Sequence, residues 1–220
     1  DGWLKRVREV KDPAATRLRE GDALAALLPG TTHDRLALFS SRGTLYVLRV
    51  ADVPATTGYG EPVQSLLKFG DGERVVVARL VREAASAPER NEAQPALPGL
   101  TAVTAAPDAF LVVSAKGYGF RAAPDLSETT RAGRRLARVA VGDEIVTLEP
   151  VLGKAVVVAT ARGKMLRFAL DEVAELAGPG RGVILMRPDK SDDRVVGALA
   201  LPPDGVFIAL TPEGGERRLS

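Results

Sequence analysis

Short apolar runs recur along this chain, and successive runs are separated by turns that contain glycine. The pattern is clearest in 154–196, where a run of β-branched residues is typical of a buried strand. Gly163 follows that run, and glycine favours a tight hairpin because it readily adopts positive φ. Four strands are predicted here, at Val156–Val158, Leu166–Phe168, Val183–Leu185 and from Val195. We therefore expect 154–196 to form one four-stranded antiparallel unit.

The same order of runs and turns recurs in 34–76 and 110–146, with Gly43 and Gly117 at the hairpin turns. In the first of these copies, the third strand is expected at Val63–Phe69. A repeat of about 40 to 50 residues with four short strands is typical of a propeller. The approximate repeats are 1–33, 34–82, 109–150, 151–200 and 201–220, of which the first and last are partial copies. The pattern predicts a single all-β domain over 1–220.

Three segments need a separate interpretation. Segment 83–108 is rich in alanine and proline, and proline removes a ladder donor, so we expect an inserted loop between repeats. Segment 23–28 has helical propensity, but its position in the repeat predicts a strand, and we follow the repeat because register outweighs weak propensity. Segment 171–176 is expected to form one helical turn.

The composition excludes several kinds of site and indicates the charge of a partner. The chain has no cysteine, which excludes disulfides and thiolate metal sites and fits a reducing cytoplasm. No apolar run is long enough to span a membrane, so we expect no membrane partner. The net charge is only +2, but its distribution is uneven. Segment 131–138 holds arginines without an acidic residue, whereas acidic residues gather in 83–92 and 189–193, and such asymmetry favours a polyanionic partner.

The sequence contains no recognisable catalytic motif. The glycines of 178–182 lack the strand–helix context of a dinucleotide site, and Pro179 would obstruct the helix start. His33 is the only histidine and has no evident partners for a metal centre or a catalytic triad. We therefore predict no active site, no cofactor and no metal.

One regularity concerns arginine. The residue four positions after a hairpin glycine is Arg6, Arg121, Arg167 and Arg218 in four repeats, and Val47 in the fifth. An even offset keeps side chains on one face of a strand, so these arginines should occupy matching places around a ring. They could follow a phosphate backbone without reading bases. They could equally be solvated residues of an exposed face, and spacing alone leaves both interpretations open.

An ordered set of motifs resembles the C-terminal domains of bacterial type IIA topoisomerase A subunits, and is more similar to the topoisomerase IV branch than to the gyrase branch. The matching motifs are Gly2–Lys5, Gly58–Pro62, Ala115–Phe120, Arg131–Arg134 and Arg162–Leu166. The resemblance implies a β-pinwheel, a propeller-like fold in which neighbouring blades exchange strands. We expect about five four-stranded blades in an open ring with incomplete terminal blades.

The resemblance also implies a function. A domain of this family would bind duplex DNA on its outer rim, bend the transported segment and set topological substrate preference in chromosome segregation. It would be non-catalytic, because the cleavage tyrosine of the ATP-dependent enzyme lies in another domain. Its partners would be the remainder of the A subunit, together with the B subunit reached through it, in the cytoplasm on the nucleoid. The expected DNA contacts are Lys5, Arg6, Arg121, Arg134, Arg135, Arg162, Lys164, Arg167, Arg181, Arg217 and Arg218.

Alternative functions differ in the surface they require. A gyrase A wrapping domain would carry a glutamine- and arginine-rich glycine box, and the corresponding loop 8–21 has no glutamine and no paired glycines. A propeller-like scaffold for protein partners would expose an apolar patch instead of basic residues. An enzyme that uses the central funnel of a propeller would need polar residues near the axis, and the sequence offers no obvious set.

Overall fold

The computed structural model describes residues 2–10, 12–13, 16–82, 109–189, 192–202, 207–210 and 216–219. The inserted segment 83–108 lies outside these residues. The chain divides into two compact units. The first unit comprises 1–40, 45–106 and 126–134, and the second comprises 41–44, 107–125 and 135–220. Within the described ranges, no helix has the length and hydropathy needed to cross a membrane.

The fold is nearly all-β, as the apolar runs predict. The strands are β1 Trp3–Leu4, β2 Arg35–Ser40, β3 Thr44–Arg49, β4 Glu61–Pro62, β5 Val75–Val81, β6 Phe110–Ser114, β7 Tyr118–Ala122, β8 Arg134–Arg135, β9 Ile145–Pro150, β10 Ala155–Thr160, β11 Met165–Ala169, β12 Val183–Ile184, β13 Val195–Leu201, β14 Phe207–Leu210 and β15 Glu216–Leu219. Among the elements that lie entirely in the described residues, a short helix, α1, spans Val63–Leu66, and 3₁₀ turns span Val50–Asp52 and Leu170–Glu172. The second of these confirms the helical turn expected near 171–176.

In the described part of the chain, four antiparallel hairpins form the framework: β2–β3, β6–β7, β10–β11 and β14–β15. The predicted turn glycines Gly43, Gly117 and Gly163 all have positive φ, at 74°, 82° and 79°. All four hairpins share one register, since Leu111 pairs with Arg121 in β6–β7 and Ile208 pairs with Arg218 in β14–β15. The hairpins predicted from glycine and apolar runs are therefore confirmed.

Each unit has its own hydrophobic core. In the first unit, Leu38, Tyr46 and Val63 are almost fully buried, and Tyr46 stacks on Phe69 with ring centroids 4.6 Å apart. In the second unit, the core contains Leu111, Val113, Val156, Val158, Val173 and Val195. The central strands β2, β6 and β10 are buried along almost their whole length, so side chains on both faces are apolar and their runs are continuous instead of alternating.

Strands are exchanged between successive repeats. The sheet order is β5-β2-β3-β8 in one blade and β12-β7-β6-β9 in the next, so β8 and β12 each complete the sheet of the preceding repeat. Likewise β4 pairs with β1, with Trp3 opposite Pro62. The prediction that 154–196 forms one contiguous four-stranded unit is therefore wrong, since β12 lies in another sheet. The β-pinwheel implied by the family resemblance is confirmed.

Two predicted strands are absent from the described structure. The strand expected at Val63–Phe69 is replaced by β4 and α1, because Val63 begins a helical turn in which Leu67 N–H donates to the Val63 carbonyl. The strand expected at 23–28 is irregular backbone. None of the described strands pairs with it, and extended backbone without a ladder partner leaves its polar groups to water.

The single-domain prediction, the repeat boundaries and the open ring with incomplete terminal blades stay predictions.

Candidate nucleic-acid interface

The hairpin tips carry the first cations of the candidate interface. An exposed basic residue directly precedes the turn glycine in three hairpins: Arg42, Lys116 and Arg162. Only Arg162 was among the contacts expected from the family resemblance. The recurrence of a cation before the turn glycine is visible in the sequence and could have identified Arg42 and Lys116 as well.

A carboxylate fixes the tip of β6–β7. Asp143 Oδ1 accepts hydrogen bonds from the backbone N–H of Lys116 and Glu144, both at 2.9 Å. Its Oδ2 accepts from Ser114 Oγ at 2.8 Å. We call this arrangement the carboxylate clamp. The clamp engages the backbone of Lys116, and the side chain of that lysine is exposed.

The tip of β10–β11 repeats the clamp with Asp193, whose Oδ1 accepts from the backbone N–H of Arg162 at 3.2 Å and of Arg194 at 2.9 Å. Burial alone would raise the pKa of Asp193, but the Thr160 side chain, these two N–H groups and the Arg162 charge together hold the pKa below its ordinary value. The clamp carboxylate is therefore ionised at neutral pH, and it lies beside the exposed cation that it positions.

Five exposed cations follow one another across the second unit, and we call them the basic strip: Arg42, Lys116, Arg135, Arg138 and Arg181. Arg135 Nη1 donates to the Arg42 carbonyl at 3.4 Å. Arg138 N–H donates to the Gly180 carbonyl at 2.8 Å, which brings Arg138 next to Arg181.

The other end of the strip is formed by Arg181 and Lys116. Arg181 Cζ lies 3.6 Å from the ring centroid of Tyr118, and Lys116 Nζ donates to the Val141 carbonyl at 3.2 Å. Considering only the described part of the chain, Lys116, Arg138 and Arg181 form no ion pair. The strip thus has the charge and donors to contact an extended polyanion.

At the tip of β10–β11, two of the expected contacts are paired with acids. Arg162 Nη2 forms a short ion pair with Asp192, and Lys164 Nζ lies 2.5 Å from Asp189 Oδ1. Two acids that composition alone set apart from the basic residues, Asp189 and Asp192, therefore lie against the cations of β10–β11. All four side chains are at least partly exposed, so water and salt weaken these pairs.

The arginines four positions after the hairpin glycine occupy matching places, but they differ in contacts. Arg121 Nε donates to the Val173 carbonyl at 3.0 Å, directly after the 3₁₀ turn Leu170–Glu172, and Nη2 lies 3.8 Å from Glu175. Arg6 Nε donates in the same way to the Val53 carbonyl, directly after the 3₁₀ turn Val50–Asp52, at 3.3 Å. Both arginines are half-buried and link successive repeats.

The exception to the arginine pattern has a structural explanation. Val47 occupies the arginine position in β3, and there the hydroxyl of Thr129 accepts from Val47 N–H at 3.0 Å. The structure assigns no 3₁₀ turn between β7 and β8, so the carbonyl that Arg6 and Arg121 bind elsewhere has no counterpart. A cavity of about 230 Å³ lies beside Val47, lined also by Glu128 and Arg131.

The remaining expected contacts lie in different settings. Lys5 Nζ donates to the carbonyls of Arg17 and Gly58, at 2.8 and 3.0 Å, and Arg134 donates to Ser127 Oγ at 3.2 Å. Arg167 is exposed on β11. Arg217 and Arg218 lie on β15, where the register places Arg218 at the position of Arg121 and Arg167.

Arg131 was not among the expected contacts. Its Nε and Nη2 donate to the carbonyls of Leu66 and Ser65, at 2.8 and 2.5 Å. Arg131 therefore satisfies the C-terminal carbonyls of α1.

Groups that could support catalysis are scattered. The described residues contain no cluster of three or more histidine, aspartate or glutamate side chains able to hold a metal ion. His33 lies exposed in a turn before β2. Tyr46 is buried, and its hydroxyl lies 3.1 Å from the Lys68 carbonyl and 3.3 Å from Glu73 Oε1. The chemistry that this arrangement offers is ionic and hydrogen-bonding recognition.

Comparison with known proteins identifies the family of this chain. The family model described as the DNA gyrase C-terminal domain, a beta-propeller, matches residues 34–82, 108–151 and 154–202. The A subunit of DNA topoisomerase 4 from Caulobacter vibrioides is 28% identical over 186 residues, covering 84% of this chain and 21% of the relative. The A subunit of DNA gyrase from Salmonella typhimurium is 28% identical over 211 residues, covering 94% and 22%. The chain therefore spans about a fifth of the length of these curated relatives.

Solved structures with the same fold include the E. coli ParC C-terminal domain, with a TM-score of 0.72 at 19% identity over 99% of this chain and 82% of that one. The C-terminal domain of DNA topoisomerase IV has a TM-score of 0.72 at 20% identity, covering 100% and 64%. The DNA gyrase A C-terminal domain has a TM-score of 0.59 at 20% identity, covering 99% and 63%. The resemblance inferred from the ordered motifs is confirmed at the level of the family and the fold.

Proposed function

The chain belongs to the DNA gyrase C-terminal domain family, and from this premise we propose that it is a non-catalytic domain that binds duplex DNA. The observation that supports DNA binding is the basic strip, in which five exposed cations follow one another across the second unit. A surface of this kind attracts a polyanion and contacts phosphates without reading base edges.

The strip combines two kinds of phosphate contact. The guanidinium groups of Arg42, Arg135, Arg138 and Arg181 are planar forks that match the geometry of phosphate oxygens, whereas Lys116 supplies a compact charge. Each neutralised phosphate releases condensed counterions, so five contacts correspond to a slope of about −4.5 in a plot of log affinity against log salt. Binding should therefore be strongly salt-dependent and nearly independent of sequence.

In this proposal the other expected contacts fall into three groups: direct phosphate contacts, residues that first have to leave an ion pair, and residues that support the binding surface. Arg167, Arg217 and Arg218 are retained as further phosphate contacts on β11 and β15. Arg162 and Lys164 can contribute only when their ion pairs with Asp192 and Asp189 open. Lys5, Arg6, Arg121 and Arg134 hydrogen-bond within the protein and support the binding surface.

For the parent protein, we propose the A subunit of a bacterial topoisomerase IV. There the domain would bend the transported segment and set topological substrate preference. Its partners would be the remainder of the A subunit, together with the B subunit reached through it, and strand cleavage by a tyrosine of another domain would supply the catalysis of the ATP-dependent enzyme. The setting would be the cytoplasm, on the nucleoid. Loop 8–21 supports topoisomerase IV, because it has no glutamine and no paired glycines.

The test of DNA binding is a salt titration with two unrelated duplexes of equal length. The wild-type chain should bind both alike, with a slope of about −4 or steeper. Arg138→Gln combined with Arg181→Gln removes two cations of the strip and should reduce the slope by about 1.8 for either duplex.

The matched control is Arg49→Gln. Arg49 is also exposed, but its guanidinium forms two 3.0 Å hydrogen bonds with Asp52, so its loss should leave the slope unchanged. Absence of binding at low salt would exclude the DNA function. A double variant that keeps the wild-type slope would exclude the basic strip as the contact surface.

The gyrase alternative is separated from topoisomerase IV by a topology assay. Relaxation of a plasmid in the presence of the domain, followed by deproteinisation, reports whether DNA is wrapped with a fixed hand. We expect bending without constrained supercoils. A large shift of topoisomers in one direction would favour the wrapping function of a gyrase A domain instead.

A further inference from the structure

Two exposed arginines stack on aromatic rings at the same position of different repeats. In the second unit, Arg181 Cζ lies 3.6 Å from the centroid of the Tyr118 ring. In the first unit, Arg19 Cζ lies 4.7 Å from the centroid of the Trp3 ring. Trp3 and Tyr118 are equivalent, because each directly follows a glycine and pairs with the second residue of the exchanged strand, Pro62 or Ile184.

Glycines create the stack in the second unit by allowing backbones to approach closely. Gly182 follows Arg181 with φ of 77°, and a Cβ there would overlap the Gly119 carbonyl oxygen. Gly119 follows Tyr118, and a Cβ there would meet the Leu185 side chain and the Val112 carbonyl oxygen. Because neither residue has a side chain, the bend that carries Arg181 lies directly against the strand that carries Tyr118.

The first unit uses a comparable device. Gly60 has φ of 96°, and a Cβ there would overlap the carbonyl oxygen of Leu4, next to Trp3. Lys5 Nζ bonds the carbonyls of Arg17 and Gly58, and so fixes the loop that carries Arg19 against the same strand. The aromatic–arginine pair is thus assembled independently in each unit.

We propose that Trp3 and Tyr118 are positioning residues for phosphodiester binding, and this inference rests on the proposed DNA-binding function. In each pair the guanidinium carbon lies over the ring and the arginine is exposed, and contact with a ring uses none of the N–H groups that would donate to a phosphate. An arginine held in this way is already restricted before DNA arrives, so less conformational entropy is lost when it binds phosphate. Exposed Arg167 on β11 has no aromatic contact of this kind in the described structure and serves as the internal contrast.

The experiment separates the orientation of a charge from the charge itself. Tyr118→Leu removes the ring and keeps all cations, so affinity should fall about three- to fivefold with an unchanged salt slope. Tyr118→Phe keeps the ring and should bind like the wild type. Arg181→Gln removes the charge and should reduce the slope by about 0.9.

A second variant tests the same contact without changing Tyr118, and so controls for a local distortion caused by Tyr118→Leu. Arg181→Lys keeps the charge but loses the planar stacked group, and should reproduce the three- to fivefold loss at the wild-type slope. If Tyr118→Leu and Arg181→Lys both bind like the wild type while Arg181→Gln reduces the slope, the positioning role is excluded and the DNA-binding proposal survives. If the wild type itself shows no salt-dependent binding, the proposed function fails first.

The first unit offers an optical test, because Trp3 is the only tryptophan of the chain. A phosphate that binds Arg19 changes the electrostatic environment of the indole ring, so Trp3 emission should change on titration with duplex DNA. Arg19→Gln should abolish most of that change. Unchanged emission at a saturating concentration of duplex would exclude the Trp3–Arg19 pair from the interface.

Discussion

Hairpins β6–β7 and β10–β11 lie in the same unit, share one register and carry the same carboxylate clamp, yet their tips have different surroundings. The Gly117 carbonyl, at the tip of β6–β7, accepts hydrogen bonds from the N–H groups of Leu185 and Met186. At the tip of β10–β11, the side chains of Arg162 and Lys164 pair with Asp192 and Asp189. The same motif therefore gives a docked tip in one repeat and an acid-paired tip in the next.

Among the predicted effects, the largest loss of stability should follow from a substitution at the docked tip of β6–β7. Gly117 has φ of 82°, and a Cβ on it would overlap the Met186 carbonyl oxygen. Gly117→Ala should therefore lower the free energy of unfolding by more than about 3 kcal/mol, since positive φ and a backbone clash add together. Urea denaturation measures this loss.

Two glycines serve as controls. Gly72 has φ of 68° with nothing within 4 Å of the position that a Cβ would take, so Gly72→Ala should cost only the backbone part, about 1 kcal/mol. Gly178 is equally open and lacks positive φ, so Gly178→Ala should be nearly neutral. A Gly117→Ala loss no greater than that of Gly72→Ala would show that docking of the tip adds nothing.

The equivalent arginines of the two hairpins should separate stability from binding. Arg121 donates to the Val173 carbonyl and lies near Glu175, so Arg121→Met should cost about 1 to 2 kcal/mol of stability. Arg167 is exposed, so Arg167→Met should change stability by less than about 0.5 kcal/mol but reduce the salt slope of DNA binding by about 0.9. Urea midpoints and salt titrations on both variants check the contrast, and equal stability losses would refute it.

These contrasts show what the sequence could and could not predict about the fold. Apolar runs and the glycines Gly43, Gly117 and Gly163 were enough to predict the hairpins, because both signals act locally. The helix at Val63–Leu66 was missed because its C-terminal carbonyls are bound by Arg131, which lies far away in the sequence. The exchange of β12 into another sheet was equally invisible to periodicity, which shows that a strand exists but not which neighbour it pairs with.

For the candidate site, too, the sequence predicted some features and missed others. Sequence reasoning found that Arg121 and Arg167 hold equivalent positions, and the register agrees. It could not show that Arg121 is half-buried against a carbonyl whereas Arg167 is exposed, because those environments depend on the next repeat. The stack of Arg181 on Tyr118 also depends on strand exchange, since Tyr118 pairs with Ile184 of β12. The sequence therefore predicts residue type and spacing, but it does not predict which residues of successive repeats are in contact.

Removing one acid that pairs with the tip of β10–β11 should make a cation of that tip available for phosphate binding. Asp189→Asn breaks the 2.5 Å pair with Lys164 and removes a charge that repels phosphate, so DNA affinity should rise about two- to fivefold. Asp171→Asn is the charge-matched control, because Asp171 is an exposed acid of the same unit in the 3₁₀ turn. If both variants raise affinity equally, the gain reflects net charge and not release of Lys164.

The smallest effect concerns the clamp carboxylate Asp193. Its pKa is lowered in the folded chain, so ionised Asp193 contributes stability above its unfolded pKa, near 3.9, and this contribution is lost as the pH falls through the folded pKa. The difference in urea midpoint between the wild type and Asp193→Asn should therefore stay constant from about pH 7 to pH 5 and shrink below about pH 4. Asp171→Asn, measured in parallel, reports the effect of losing an exposed acid without a clamp. A difference for Asp193→Asn that stays the same from about pH 7 to pH 3 would mean that the clamp acts through shape alone, and the electrostatic account of the β10–β11 tip would be wrong.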